Sequence, residues 1–389
     1  MDCRIITTKK QWIMAKQVKV IKTTIEAHSN DNGNTTRANS TKQYPFKNLV
    51  FEGGGVKGIA YVGALNKLQE EGILQNIERV AGTSAGVVLA VLVGLGFTPQ
   101  EISDILWDIN FQNFLDSSWG VVRNTNRLLA DYGWYKGEFF RNLMAGYIER
   151  KTGNSEITFK EVETRKKNGE PFLGIHLIGA DLTTGYSVVF NAKNTPHVKI
   201  ADAAHISMAI PLFFAAVKGV QGDNHIYVDG GLLDNYAIKI FDQSNLVQTK
   251  NNKRKTEYYE KLNEQLKKKN ANNSSKVIEY VYNKETLGFR LDAKEDINLF
   301  LNQDEAPKKE IKNFFSYTKA LVTTLIDFQN NVHLHSDDWQ RTVYIDTLGV
   351  SSLDFKLSDK KKQALVDSGY NYTAAYLDWY NNDEEKANK

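Results

Sequence analysis

Short apolar runs alternate with amphipathic ones along most of this chain. Leu49 to Glu52 is a brief apolar run that predicts a strand. Tyr61, Leu65 and Leu68 fall at i, i+4 and i+7, one face of a helix, and Gly72 offers its stop. "RVAG" from Arg79 predicts the next strand. The run "AGVVLAVLVGLGF", Ala85 to Phe97, predicts a helix buried in a core, because it is too short to cross a bilayer. Thr98, Pro99 and Glu101 supply an N-cap, a first-turn proline and a capping-box acid for a third helix. "FLGIHLIGADL" and "YSVVFN", separated by the turn "TTG", predict two strands. "IADAAHISMAI" predicts a helix that stops before Pro211, and "HIYVDGG" a strand running into a glycine turn. Farther on, "RTVYIDTLGV" predicts a strand, followed by two helical stretches. Alternation of this kind predicts an α/β fold layered around a largely parallel central sheet.

The polarity of the remaining segments divides the chain. Residues 1–44 carry the polar, Asn-rich "HSNDNGNTTRANSTKQ" and predict a disordered tail. Residues 45–245 hold the alternating core. Residues 246–276 are a charged excursion, expected as a surface helix or mobile loop, and residues 277–389 are expected to pack on the core. With 389 residues, 41% hydrophobic and 24% charged, the composition is that of an ordinary soluble protein with room for a sizeable core. The formal charge of +3 gives no case for nucleic acid. The only cysteine, Cys3, permits neither an intrachain disulfide nor a cysteine metal site. The first residues lack the apolar stretch of a secretory signal, so the expected location is the cytoplasm, or outside it by a route without a classical signal peptide.

Three short motifs carry candidate chemistry. Gly53, Gly55 and Gly58 fit G-x-G-x-x-G between a predicted strand and helix. That loop can cradle a dinucleotide's pyrophosphate or aim its amides at an oxyanion. A dinucleotide site needs an acidic residue at the end of the next strand to hold a ribose hydroxyl. The next strand ends instead in "AGTSAG", and no Lys-Ser or Lys-Thr pair follows the glycines as a phosphate loop requires. Gly82, Ser84 and Gly86 make G-x-S-x-G between a strand and a buried helix, the context of a nucleophile elbow; taken alone it is also a glycine-flanked turn feeding a packed helix. Asp229, Gly230 and Gly231 close a strand with an acid and a turn signal.

In this order the three motifs resemble the patatin-like phospholipase family. "GGGVKG", Gly53 to Gly58 with Val56 and Lys57, looks like its oxyanion loop; "GTSAG", Gly82 to Gly86 with Thr83, looks like its lipase box; "DGG" looks like its aspartate motif. "GADLTTGYSVVF" and "AAHISMAIPLFF" resemble intervening segments, and the likeness is clearest from Phe46 to Phe241. One departure is visible: Ala237 in "DNYAI" stands where the family often has proline.

The resemblance implies a three-layer α/β/α sandwich and a serine acyl hydrolase that needs no cofactor or metal. Ser84 is the implied nucleophile and Asp229 the implied base, a dyad without histidine. The amides of Gly53, Gly54, Gly55 and Ala85 are the implied oxyanion hole. The implied substrate is a membrane phospholipid or lysophospholipid, met by transient peripheral contact. The competing functions are a nucleotide-binding oxidoreductase and an inactive lipid-binding module.

Other residues compete for roles. His205, His225 and the His333/His335 pair would be needed for a Ser–His–Asp triad or a metal half-site, but histidines of this kind are by default surface or packing residues. Lys57 opens a helix, where a cation opposes the dipole, which suggests that it fixes the glycine loop or meets a lipid phosphate. Asp181 is expected to organise its turn, and Asp234 and Asn235 to brace the loop after Asp229. Two basic stretches, "KKQWIMAKQVKVIK" near the N-terminus and Lys250 to Lys269, are candidates for an anionic membrane surface.

Overall fold

The computed structural model describes residues 43–110, 130–269, 278–292 and 338–382, with short pieces at 113, 310–312, 316–318, 320–321 and 324–325. The tail before residue 43, its basic stretch, the end of the charged excursion, and His333 and His335 lie outside the described residues.

The strands in chain order are β1 (Asn48–Phe51), β2 (Arg79–Thr83), β3 (Gly133–Tyr135), β4 (Gly174–Asp181), β5 (Tyr186–Phe190), β6 (Leu212–Phe214), β7 (Val217–Lys218), β8 (Ile226–Asp229), β9 (Lys253–Arg254), β10 (Tyr282–Asn283), β11 (Thr286–Asp292) and β12 (Thr342–Asp346). Eight of them form one sheet in the order β12-β11-β1-β2-β4-β8-β7, with β5 along β4. The pairs from β12 to β4 are parallel, and those among β4, β5, β7 and β8 are antiparallel. The sheet is therefore mixed and largely parallel. β3 pairs with β6, and β9 with β10, as small separate ribbons.

The helices are α1 (Ala60–Glu70), α2 (Ala85–Gly94), α3 (Pro99–Asp108), α4 (Glu138–Thr152), α5 (Phe159–Lys167), α6 (Ile200–Met208), α7 (Glu257–Lys269) and α8 (Asp359–Asn382). The capping box of α3 is formed: Thr98 Oγ1 accepts from the Glu101 amide, and the Glu101 carboxylate accepts from the Thr98 amide. α2 is apolar on every side and buried along nearly its whole length, the pattern of a core helix.

The two expected helical stretches at the C-terminus are one helix, α8. Gly369 lies within it because α8 crosses α1 there at backbone contact. A Cβ at Gly369 would lie 1.8 Å from the Ala60 carbonyl, and one at Gly63 1.9 Å from that of Val366.

The two faces of the sheet are covered differently. Leu49, Phe51, Val80, Leu177, Leu287 and Phe289 point into the large core shared with α1, α2 and α8. Val50 and Ala81, of opposite parity, meet Tyr236, Ile238 and Phe241. That second layer is built of short 3-10 turns between Gly230 and Leu246 rather than long helices.

One detail of register positions the site. β4 pairs with β2 through Ile178 and with β8 from Gly179 onward, while β5 spans Leu177 to Asp181. A strand has two edges, and β5 occupies one across both stretches. β2 and β8 therefore share the other edge, approaching end to end from opposite directions. Thr83 and Asp229, paired with consecutive β4 residues, meet there although 146 positions separate them (229 − 83).

Candidate active site

Ser84 follows β2 immediately and caps α2. Its φ of 51° and ψ of −127° place it in a strained turn that a non-glycine residue rarely adopts. The turn is held by tight packing: a Cβ at Gly82 would lie 2.2 Å from the Gly86 carbonyl, and one at Gly86 2.3 Å from that of Phe51. The Ser84 amide donates to Ser207 Oγ at 3.0 Å, and Ser207 Oγ donates to the Ile178 carbonyl, at the junction of β2 and β8 on β4. Thr83 Oγ1 donates to the Asp234 carbonyl at 3.0 Å.

The Ser84 hydroxyl donates to Asp229 Oδ2 at 2.7 Å. The other oxygen of Asp229 accepts the Gly231 amide at 2.7 Å. Asp229 is 3% exposed. Burial pushes its carboxyl up to about 7, and the hydrogen bonds from Ser84 and Gly231 pull the other way. A hydroxyl held on a carboxylate that takes up a proton near neutrality is an arrangement able to deprotonate serine.

No histidine shares these bonds among the described residues. His225 Nδ1 lies 2.7 Å from Asp181 Oδ2. The other Asp181 oxygen accepts the Thr183 amide at 2.9 Å, so this acid organises its turn and holds His225 beside it. His205 packs with its Nε2 against Gly137, where burial lowers its proton affinity.

The glycine loop is clamped on both sides. Gly53 donates its amide to the Asn235 carbonyl at 3.1 Å, and Asn235 Nδ2 returns a bond to the Gly53 carbonyl at 3.2 Å. This corrects one of the four expected oxyanion donors, since the Gly53 amide is already engaged. The amides of Gly54, Gly55 and Ala85 donate to no backbone acceptor among the described residues. Asn235 thus does more than brace the loop after Asp229, because it ties that loop to the glycines. Lys57 Nζ donates to the Leu291 carbonyl at 3.2 Å, which makes it a tether of the loop to β11. Gly58 leaves room beside Ala85, whose Cβ would sit 3.5 Å away from one added there. Gly230 packs on the Ile178 carbonyl, 2.4 Å from where its Cβ would be.

Three supporting residues carry little local signal in the sequence. Glu52, 1% exposed, ends the apolar run before the loop, and its carboxylate accepts the Leu291 amide at 2.7 Å. Arg290 Nε lies 3.6 Å from the same carboxylate. Burial pushes Glu52 up while Arg290 opposes it. A charged residue directly after "LVF" was the available clue. Ser207 shows only as one of several polar residues, with Asp202 and His205, in a mixed helix, and Arg290 only as a cation between apolar neighbours in its strand.

Beside Ser84 an apolar channel of about 50 Å³ is lined mostly by residues of the large core. Its walls include Ile59, Val88 and Leu89, Leu106 and Ile109, Phe140 and Met144, Met208, Phe214, and, from the loop after β12, Leu353 and Phe355. Ser84 and Ser352 are the only polar side chains that line it among the described residues. It suits an alkyl chain.

Comparison with known proteins gives the family of the segment that carries this site. A family model described as "Patatin-like phospholipase" matches residues 49–242. The uncharacterized protein YqhO of Bacillus subtilis is 27% identical over 339 residues, 84% of this chain and 97% of the relative. The probable lipid hydrolase 463L of Invertebrate iridescent virus 6 is 28% identical over 225 residues, 56% of this chain and 70% of the relative. The crystal structure of VipD from Legionella pneumophila aligns with a TM-score of 0.50 at 17% identity, over 86% of this chain and 67% of that one, a likeness of fold.

Proposed function

Because this chain belongs to the patatin-like phospholipase family through residues 49–242, we propose that it is a serine acyl hydrolase that cleaves fatty-acyl esters of membrane lipids with a Ser84–Asp229 dyad. The observation that carries this reading is the 2.7 Å bond between the Ser84 hydroxyl and a buried carboxylate, with no histidine interposed.

In this mechanism Asp229 takes the Ser84 proton as Oγ attacks the ester carbonyl. The new C–O bond places negative charge on the former carbonyl oxygen. The amides of Gly54, Gly55 and Ala85 stabilise that charge, each donor of this kind contributing about 3 kcal/mol. The intermediate collapses, the alkoxide leaving group takes the proton from Asp229, and the acyl group stays on Ser84. Asp229 then deprotonates a water that attacks the acyl-enzyme. The second intermediate expels Ser84 Oγ, which recovers its proton, and the fatty acid departs. The acyl chain lies in the apolar channel; the polar headgroup stays outside.

The substrate is a phospholipid or lysophospholipid reached at a membrane surface. The proposed contact is peripheral and transient; among the described residues no helix is long and apolar enough to span a bilayer. The lysines ending α7, Lys267 to Lys269, are one basic patch that can meet anionic lipid. The dinucleotide alternative gains nothing from the geometry: Ser84, not an acid, follows the second strand, and the Gly53 amide is engaged. An inactive lipid-binding module would have no use for a strained serine held on a carboxylate.

The test is labelling by a fluorophosphonate probe together with hydrolysis of a lipid panel. Wild-type protein reacts with the probe and releases fatty acid; Ser84→Ala does neither while keeping its fold. Labelling that persists in Ser84→Ala moves the nucleophile elsewhere.

A further inference from the structure

The channel beside Ser84 is not completed by the segment the family model matches. Three of its lining residues, Ser352, Leu353 and Phe355, come from the loop after β12, more than a hundred residues beyond residue 242. Two contacts bring that loop to the site. The Val56 amide donates to the Ser352 carbonyl at 3.0 Å, and that carbonyl fills the Cβ position of Gly55, 2.0 Å away, where φ is +57°. The Phe355 ring lies 6.1 Å from that of Phe213, which packs edge-on against Phe214 at 5.0 Å. Phe214 itself lines the channel. The loop thus spans from the glycine turn to β6 and closes the channel between them.

We propose that Phe355, supported by Leu353, is a specificity-determining residue that selects long acyl chains. The inference rests on the acyl-hydrolase reading above. An ester carbonyl at Ser84 is gripped by the glycine-loop amides whatever its chain length. A short acyl group gains little more. A long one gains apolar contact with each wall it passes, and the part of the wall carried by Phe355 exists only because the C-terminal loop is in place. Truncating Phe355 opens that side to water and removes ring contacts, so the loss grows with chain length.

Two measurements test this. The first compares kcat/KM for p-nitrophenyl laurate and butyrate in wild type, Phe355→Leu and Phe355→Ala. The laurate-to-butyrate ratio falls about tenfold in Phe355→Ala, with Phe355→Leu between. The second measures laurate binding by calorimetry in Ser84→Ala and in Ser84→Ala combined with Phe355→Ala, where affinity drops by a similar factor. A ratio and an affinity both unchanged by Phe355→Ala overturn the proposal and leave the hydrolase reading intact. If wild type hydrolyses neither ester while laurate binding still depends on Phe355, the hydrolase reading falls and the channel wall stands.

Discussion

Asp229 and Glu52 are two buried carboxylates at the ends of two strands, both pushed up by burial, and they are built for different ends. Asp229 is satisfied by neutral donors, the Ser84 hydroxyl and the Gly231 amide. Glu52 has the Leu291 amide and, at 3.6 Å, the Arg290 guanidinium, itself bonded to Asp292. Burial alone therefore does not mark a base. A carboxylate that accepts a backbone amide and faces a cation fixes its surroundings, even where burial has raised its proton affinity. One facing a hydroxyl, with no cation beside it, is free to exchange a proton with that hydroxyl. In this comparison Asp229 serves the chemistry, and Glu52 serves the loop that receives the negative charge.

Replacing Asp229 breaks the comparison most completely. Asp229→Asn keeps the shape and cannot accept a proton, so kcat/KM is expected to fall at least about 10³-fold. The same substitution is expected to raise stability above neutral pH. The unfolded aspartate ionises near 3.8 and the folded one near 7, so the unfolded state binds fewer protons in between. Stability from this group is whole below about pH 4 and is lost as pH rises through 7. A three-unit difference corresponds to about 4 kcal/mol as an upper figure, and the expected gain for Asn at pH 8 is roughly 2 kcal/mol, vanishing near pH 4. Urea melts across that range check it. If His205→Ala or His225→Ala proves as damaging to activity as Asp229→Asn, the dyad gives way to a triad.

The pH–rate profile is the next sharpest probe. A base that must be ionised, with an affinity near 7, makes kcat/KM rise about tenfold per pH unit from 5 toward 7 and level off above. That amounts to roughly a hundredfold between pH 5 and 8. A flat profile over this range would remove Asp229 as the base.

Much of this arrangement was legible in the sequence. The elbow, the glycine loop and the Asp-Gly-Gly turn announce themselves because each needs small residues at fixed local spacing. The capping box at Thr98 and the core helix α2 are local patterns of the same kind. What brings Ser84 to Asp229 is not local. It is the sharing of one edge of β4 by β2 and β8, a choice of partner that no period within either strand records. Ser207 was illegible for a related reason, since it serves an amide 123 residues away. The expected Gly53 donor was misassigned because its partner, the Asn235 carbonyl, is a backbone atom that sequence does not distinguish. The continuity of α8 likewise depends on a helix crossing, at Gly369, that only the packed structure reveals.

The smallest expected effect separates the two carboxylates most finely. Glu52→Gln keeps an oxygen to accept the Leu291 amide and removes the charge opposite Arg290. Removing one partner of a buried pair costs about 3–5 kcal/mol when the other charge is left alone. Here Asp292 stays on Arg290 at 3.0 Å, so the expected loss of stability is smaller, about 2 kcal/mol. The glycine loop loses part of its anchor on β11, and Lys57, on the Leu291 carbonyl, keeps the rest. The Gly54 and Gly55 amides are then less well held toward the developing charge, and kcat is expected to fall about tenfold with KM little changed. The midpoint of the pH profile should stay where it was, because burial, Ser84 and Gly231 set the proton affinity of Asp229 and Glu52 does not enter. A slower enzyme with the same midpoint identifies Glu52 as a positioning residue. A midpoint that moves with Glu52→Gln would mean that the two carboxylates share the titration, and the division between them drawn above would be wrong.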